Sequence, residues 1–197
     1  MDKITLIEQN LKEAFETLGL DLTKASTKDT PRRVAKMWVN ELAKNINNNN
    51  IKELDAKMKC FPIDRCYSND LIVIKDIDFH SMCEHHFLPF SGKVSVGYYP
   101  KNKIIGLSKI PRIVKYFSQK PQLQERLTKE IAQYIIKVLD PRAVFVRVEA
   151  THGCVMCRGI ESNCSTVTSV SLYDRNLNKN SYIYLEGEKD FRRELTK

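Results

Sequence analysis

An α+β fold, a four-stranded antiparallel sheet with its helices on one face and a helical arm in front, is predicted by three features of the sequence. Between residues 71 and 172 the hydrophobic periodicities run strand, strand, helix, helix, strand, strand. The first 50 residues show helical spacing only. The composition, 42% apolar and 28% charged with 7 Gly and 7 Pro in 197 residues, is that of an ordinary folded domain and excludes collagen-like, mucin-like and low-complexity chains.

Each element has a local reason. Ile4, Ile7, Leu11, Phe15 and Leu18 recur at intervals of three and four, which predicts an amphipathic helix ending at Gly19. Thr30-Pro31 reads as an N-cap followed by proline at the first helical position, and Val34, Ala35, Trp38 and Leu42 form the stripe of a second helix. Asn45 and the run Asn47 to Asn50 end it as a flexible surface loop. Residues 1–50 are therefore expected to be an arm that packs on something else, and residues 51–197 the sheet-bearing domain. Alternation over Leu71 to Phe79 and again over Lys93 to Tyr99 predicts two strands, joined by the loop SMCEHHFLPFSG. Ser108 is placed to cap a short helix with Ile110, Ile113, Val114 and Phe117 inside, and Pro121 to open a longer one with Leu123, Leu127, Ile131, Ile135 and Val138. Ala143 to Ala150 and Ser165 to Leu172 read as the last two strands. Such a sheet exposes edges, so a ring of subunits closing sheet against sheet is expected.

Lys plus Arg is 32 against 24 Asp plus Glu, a net charge of +8, which favours acidic partners. The basic residues are scattered, with no block longer than Arg32-Arg33 or Arg192-Arg193, unlike a nucleic-acid-binding tail. No apolar run reaches membrane-spanning length and MDKITLIEQN lacks the apolar stretch of a secretion signal, so a cytoplasmic protein without a membrane partner is expected. Six Cys in that setting read as metal ligands or free thiols.

Of the four His, three (His85, His86 and His152) fall in two short segments that also hold Cys83 and Cys154. Cys83-Glu84-His85-His86 and His152-Gly153-Cys154 together hold the thiolates and imidazoles that suit zinc. Ligand number separates two classes of function, because four protein ligands close a zinc site and three leave room for water. Cys83, His86 and Cys154 make three; Cys157, in C-x-x-C spacing with Cys154, is a candidate fourth. A closed site would make the chain a zinc-stabilised nucleic-acid-binding module. Against it stand His85 and His152, two further imidazoles without a structural task, the second on the same side of a strand as position 154. Proton donors beside a metal suit catalysis better than a structural knot.

A second cluster concerns anions. Ser108 at a helix start, with Lys109 and Arg112 beside it, offers a hydroxyl and two cations that fit phosphate, although taken singly a solvated helix face with two ordinary charges is the favoured reading; Arg158 lies four residues past Cys154 and would bring another cation near the metal. The phosphate-loop and dinucleotide glycine signatures are absent. Gln124 and Glu125 fall on the polar face of the long helix's first turn, where a carboxylate either complements the helix dipole or accepts two parallel N–H bonds of the kind guanine offers.

DTPRRVAKMW (29–38), SMCEHHFLPFSGKVSVGYYP (81–100), IGLSKIPRIVKYFSQKPQLQERLT (105–128) and EATHGCVMCRG (149–159) carry a resemblance to the GTP cyclohydrolase I family across nearly the whole chain. The resemblance implies hydrolytic opening of GTP to 7,8-dihydroneopterin triphosphate and formate, the first step of pterin and folate biosynthesis. It implies the tunnelling fold, pentameric rings stacked as a homodecamer, and active sites between subunits. It also implies Zn²⁺ on Cys83, His86 and Cys154, with an open position for the water that attacks C8. By the same resemblance His85 and His152 are catalytic imidazoles, His152 giving the proton to N7, while Glu125 reads guanine with Gln124 beside it in the pocket. Ser108, Lys109, Arg112 and Arg158 hold the ribose and triphosphate, and Ser108 also serves later proton transfers. Relatives within that fold, such as a nitrile reductase of queuosine synthesis, lack the paired C-E-H-H and H-x-C pattern. Cys157 is unusual for the family, and residues 173–187 run long before the last helix, which predicts an added hairpin or loop.

Overall fold

The computed structural model describes residues 1–48, 50–63 and 70–196. In chain order its elements are α1 (Lys3–Thr17), α2 (Thr30–Met37), α3 (Ile51–Lys57), β1 (Cys60–Pro62), β2 (Ile72–Cys83), β3 (Pro89–Tyr99), β4 (Lys103–Ile105), α4 (Lys109–Ser118), β5 (Pro121–Gln122), α5 (Gln124–Leu139), β6 (Ala143–His152), α6 (Gly153–Met156), β7 (Ser165–Tyr173) and α7 (Tyr182–Leu195).

The predicted four strands are β2, β3, β6 and β7, antiparallel neighbours in that order. A fifth strand was not foreseen. The two residues of β5 pair parallel with the end of β2, so Pro121 sits in a sheet rather than opening the long helix, which starts at Gln124.

Strand parity sorts the side chains. Val94, Val96, Tyr98, Val144, Val146 and Val148 face α4 and α5, whose Ile110, Ile113, Leu127, Ile131 and Ile135 complete the main core. The alternation of β2 shifts phase between Ile74 and Ile77, where the register slips and Asp76 takes a left-handed φ of 59°. That bulge keeps Ile72 and Ile74 before it and Ile77 and Phe79 after it on the core side, so the shift of phase is a device for holding one face. Helices on one face is correct for α4 and α5 and incorrect for α7. Ile183 and Phe191 of α7 pack against Tyr99, Ala143 and Phe145, the opposite face of the sheet. Gly97 permits this, since a Cβ there would lie 2.5 Å from the Phe191 ring.

Further corrections are local. α2 begins at Thr30 with Asp29 as N-cap, which puts Pro31 one position deeper than predicted, and α2 runs on into a π-helical turn, Trp38–Leu42. Asn45 is no loop residue in solvent: it is 3% exposed and its amide donates to the Tyr116 carbonyl at 3.0 Å, docking this segment onto α4. Of the Asn run, Asn49 lies outside the described residues, Asn47 has a left-handed φ of 60°, and Asn50 directly precedes the unforeseen helix α3. Ser108 occupies the N-cap position of α4 but its hydroxyl makes no capping bond. The stretch 173–187 is a turn-rich loop that already becomes α7 at Tyr182, capped by Ser181. Among the described residues no helix is long and apolar enough to cross a membrane.

α3 is tied to α5 by Asp55, whose carboxylate accepts from the Tyr134 hydroxyl at 2.7 Å and from Lys137 Nζ at 3.0 Å. The Tyr134 bond, then Lys137, holds this carboxyl below the ordinary carboxylate range. A depressed folded pKa gives stability that is present above the unfolded value and lost as pH falls through the folded one. Asp55→Asn is therefore expected to cost up to about 1 kcal/mol at neutral pH, the range for a partly exposed pair. Urea unfolding at neutral pH and again below the carboxylate range should show the difference shrinking in acid.

Candidate active site

Two strand ends and one strand start converge at one edge of the sheet. β2 and β6 both run antiparallel to β3, so they end side by side, and β3 begins between them: Ser81 pairs with Phe90, and Phe90 with His152. The expected loop 81–92 is mostly strand. Only residues 84–88 turn, closed by Cys83 N–H to Leu88 O at 2.8 Å and Phe87 N–H to Cys83 O at 2.9 Å, with Phe87 left-handed at φ 55°. Past His152 the chain enters α6, so Cys154 projects from a helical turn and not, as predicted, from the side of the strand that carries His152. Gly153 is required at that junction, where a Cβ would stand 2.8 Å from the Pro89 carbonyl oxygen.

This brings Cys83, His86 and Cys154 together, with one donor atom of each within 4.8 Å of the others. Cys157, at the end of α6, is exposed and is not part of the group. Burial, and next the neighbouring Cys83 thiol, push the Cys154 thiol above its ordinary pKa. Two adjacent thiols beside an imidazole are a donor set that suits a soft divalent cation, which favours thiolates. The residues fit zinc.

Polar groups surround the cluster. Arg158 Nη1 donates to His86 Nε2 at 2.9 Å, placing a guanidinium beside a candidate ligand. His85 is exposed on the 84–88 turn, its ring 6.2 Å from that of His86. His152 stacks on Phe90 with centroids 4.5 Å apart and planes 4° from parallel. Its Nε2 lies 2.8 Å from Gln124 Oε1. Gln124 is not on a polar face as predicted; it is 2% exposed, and its amide nitrogen donates to Val148 O at 3.1 Å and Thr166 O at 2.9 Å. Those two carbonyls fix which end of the amide faces His152, so His152 Nε2 carries the hydrogen and Nδ1 keeps its lone pair. Burial lowers the His152 pKa, opposed by the charge of nearby Glu125, which is itself exposed in the first turn of α5.

Ser108, Lys109 and Arg112 sit at the start of α4, and none of them bonds to the cluster within one chain, among the described residues. Arg112 lines a cavity of about 210 Å³ with Lys44, Lys57 and Lys115. Sequence reasoning missed Phe90 and Arg126. Phe90 looks like any strand residue, and Arg126, which grips Glu84 through two N–H bonds, reads as one more helix-surface charge.

Fold and site together define an α+β protein with a three-donor Cys-His-Cys centre and acid–base side chains at the end of an antiparallel sheet. A family model described as GTP cyclohydrolase I matches residues 7–183, and the chain belongs to that family of enzymes. It is 41% identical over 181 residues to the GTP cyclohydrolase 1 of Histophilus somni strain 2336, covering 88% of this chain and 79% of the relative. For the proteins of the same name from Pasteurella multocida and Haemophilus ducreyi the identities are 43% and 42%, with the same coverage. Among solved structures, the apo archaeosine synthase QueF-Like covers 52% of this chain and 94% of its own at 20% identity and a TM-score of 0.43, a likeness too slight to carry an argument.

Gln124→Met should take the amide donor from the buried Val148 carbonyl and from the Thr166 carbonyl and release the His152 tautomer. The expected cost is about 1–3 kcal/mol, the range for one stranded buried group. Nitrogen NMR of the His152 ring should show the Nε2–H form losing dominance; an unchanged tautomer would refute the assignment.

Proposed function

We propose that this chain hydrolyses GTP to 7,8-dihydroneopterin triphosphate and formate with one zinc ion held by Cys83, His86 and Cys154. The observation that carries the reading is the three-donor cluster from which Cys157 is absent. Three protein ligands are the arrangement of catalytic zinc, whereas structural zinc takes four. When bound, such an ion supplies the Lewis acidity that makes water nucleophilic near neutral pH, its pKa falling to about 7.

The remaining chemistry belongs to the chain. His152, with Nε2–H committed to Gln124, can take and deliver a proton only through Nδ1. Burial makes its charged form a stronger acid than free imidazolium, which suits protonation of a purine N7. Gln124 thus acts through His152, setting its tautomer and its tilt. The exposed imidazole of His85, on the ligand-bearing turn, is a second proton carrier for opening the ring. Glu125 has the free carboxylate to accept guanine's ring N–H and amino group in parallel.

Lys109, Arg112 and Arg158 supply cations for the triphosphate, and Ser108 a hydroxyl uncommitted to capping, suited to the sugar rearrangement. Within one chain the start of α4 makes no bond to the cluster, which supports an active site completed across subunits. The long outer edges of β2 and β7 are those a sheet-to-sheet ring would join. We take residues 1–50 as an arm, 51–197 as the catalytic domain, two stacked pentamers as the assembly, and the cytoplasm as its location.

Incubation with GTP and Zn²⁺ should release formate and a pterin that fluoresces after oxidation, with ATP inert. His152→Ala is expected to abolish formate release while zinc content stays near one per chain; loss of zinc would show His152 to be a ligand. Glu125→Ala should lower kcat/KM for GTP by 10²-fold or more, about 3 kcal/mol of binding at a charged hydrogen-bonding site. Cys157→Ser is expected to retain both metal and turnover, and losing either would restore the closed-site reading.

A further inference from the structure

The 84–88 turn, like α6, contains no buried residue. His85, His86 and Phe87 are exposed, so apart from the edge-on contact of Phe87 with Trp38, ring centroids 5.7 Å apart, packing does little to fix where it places the His86 donor. Directed bonds must do so. Glu84, between Cys83 and the two imidazoles, is gripped from two directions. Its backbone N–H donates to Gln122 O at 3.1 Å, in register with the Cys83–Gln122 pairing of β2 and β5. Its carboxylate takes two parallel bonds from Arg126, Nη1 to Oε2 and Nη2 to Oε1, the latter at 3.1 Å. Arg126 follows Gln124 and Glu125 on α5, and among the described residues its guanidinium makes the side-chain bonds that run from the turn to that helix.

We propose that Arg126 is a positioning residue: through Glu84 it holds the metal-ligating turn in fixed register with the first turn of α5, so that His86 is preorganised for zinc. The inference rests on the proposed zinc site and adds a residue to its support. An exposed ion pair usually contributes little. This one differs in its forked geometry, which a guanidinium supplies and an ammonium does not, and in the segment it restrains.

Positioning and plain electrostatics predict opposite signs. Removing a cation near a metal site while keeping the Glu84 carboxylate should tighten zinc binding if only charge matters. If Arg126 acts by positioning, its loss should weaken binding, because the turn must then be ordered at the expense of metal affinity. Changes to groups that orient metal ligands typically cost about 10–100-fold in affinity.

The test is zinc affinity measured by competition with a chromophoric chelator on the full-length protein, for the wild type, Arg126→Gln, Arg126→Lys and the swapped pair Glu84→Arg/Arg126→Glu. Expected is a 10–100-fold weaker zinc affinity for Arg126→Gln, a partial loss for Arg126→Lys, and an affinity for the swapped pair closer to wild type than Arg126→Gln. Thermal midpoints of the metal-free proteins should stay close together, since no packed side chain is lost. Zinc bound by Arg126→Gln as tightly as by the wild type, or more tightly, overturns the inference, as does a swapped pair no better than Arg126→Gln. If Arg126→Gln does not fold, the lysine variant and the swap decide by the same criteria. A wild type that takes up no zinc instead overturns the proposed function, and this inference with it.

Discussion

The site depends on strand direction. Because β3 runs against both of its neighbours, β2 and β6 run the same way and stop at the same edge, and their last residues flank the start of β3. Cys83 and His152 are 69 positions apart in the chain yet are held in one neighbourhood by backbone hydrogen bonds that no side chain chooses. Every later feature builds on that placement. The five-residue turn supplies His86, the helical turn after His152 supplies Cys154, and β5 pairs with the end of β2, bringing the first turn of α5 alongside.

Rigid and yielding parts share the work unequally. Cys83 is buried in the main core and His152 is clamped between the Phe90 ring and the Gln124 amide, so one candidate ligand and the imidazole proposed to carry the proton inherit the order of the sheet. His86 and Arg158 stand on exposed segments. Precision where a proton must be delivered, with less burial where solvent and phosphate must enter, is a reasonable division for a hydrolase of a charged nucleotide.

Much of this could be read from the sequence because period and chemistry coincide there. Alternation placed the four long strands, and the three- and four-residue spacing placed α1, α4 and α5. The rare residues His and Cys, bunched near positions 83–86 and 152–157, marked the centre. What could not be read depends on partners distant in the chain. Gln124 was taken for a surface residue because its polar side chain sits in a polar helical turn; the carbonyls of Val148 and Thr166 that bury it are separated from it by 24 and 42 positions. The α7 face was missed because its acceptance depends on Gly97 leaving room for Phe191. The bulge at Asp76 is not legible in the alternation over Leu71 to Phe79, since a strand pattern carries no sign of an inserted residue.

The central claim is that the metal is gripped by two sulfurs and one nitrogen of the chain and by no more. X-ray absorption at the zinc edge of the loaded protein measures this directly. The account predicts a shell of two sulfur scatterers at about 2.3 Å and two lighter ones at about 2.0–2.1 Å, one of them imidazole. A shell with three sulfurs would mean that the thiol at 157 has closed the site, and a closed site contradicts catalysis at this centre.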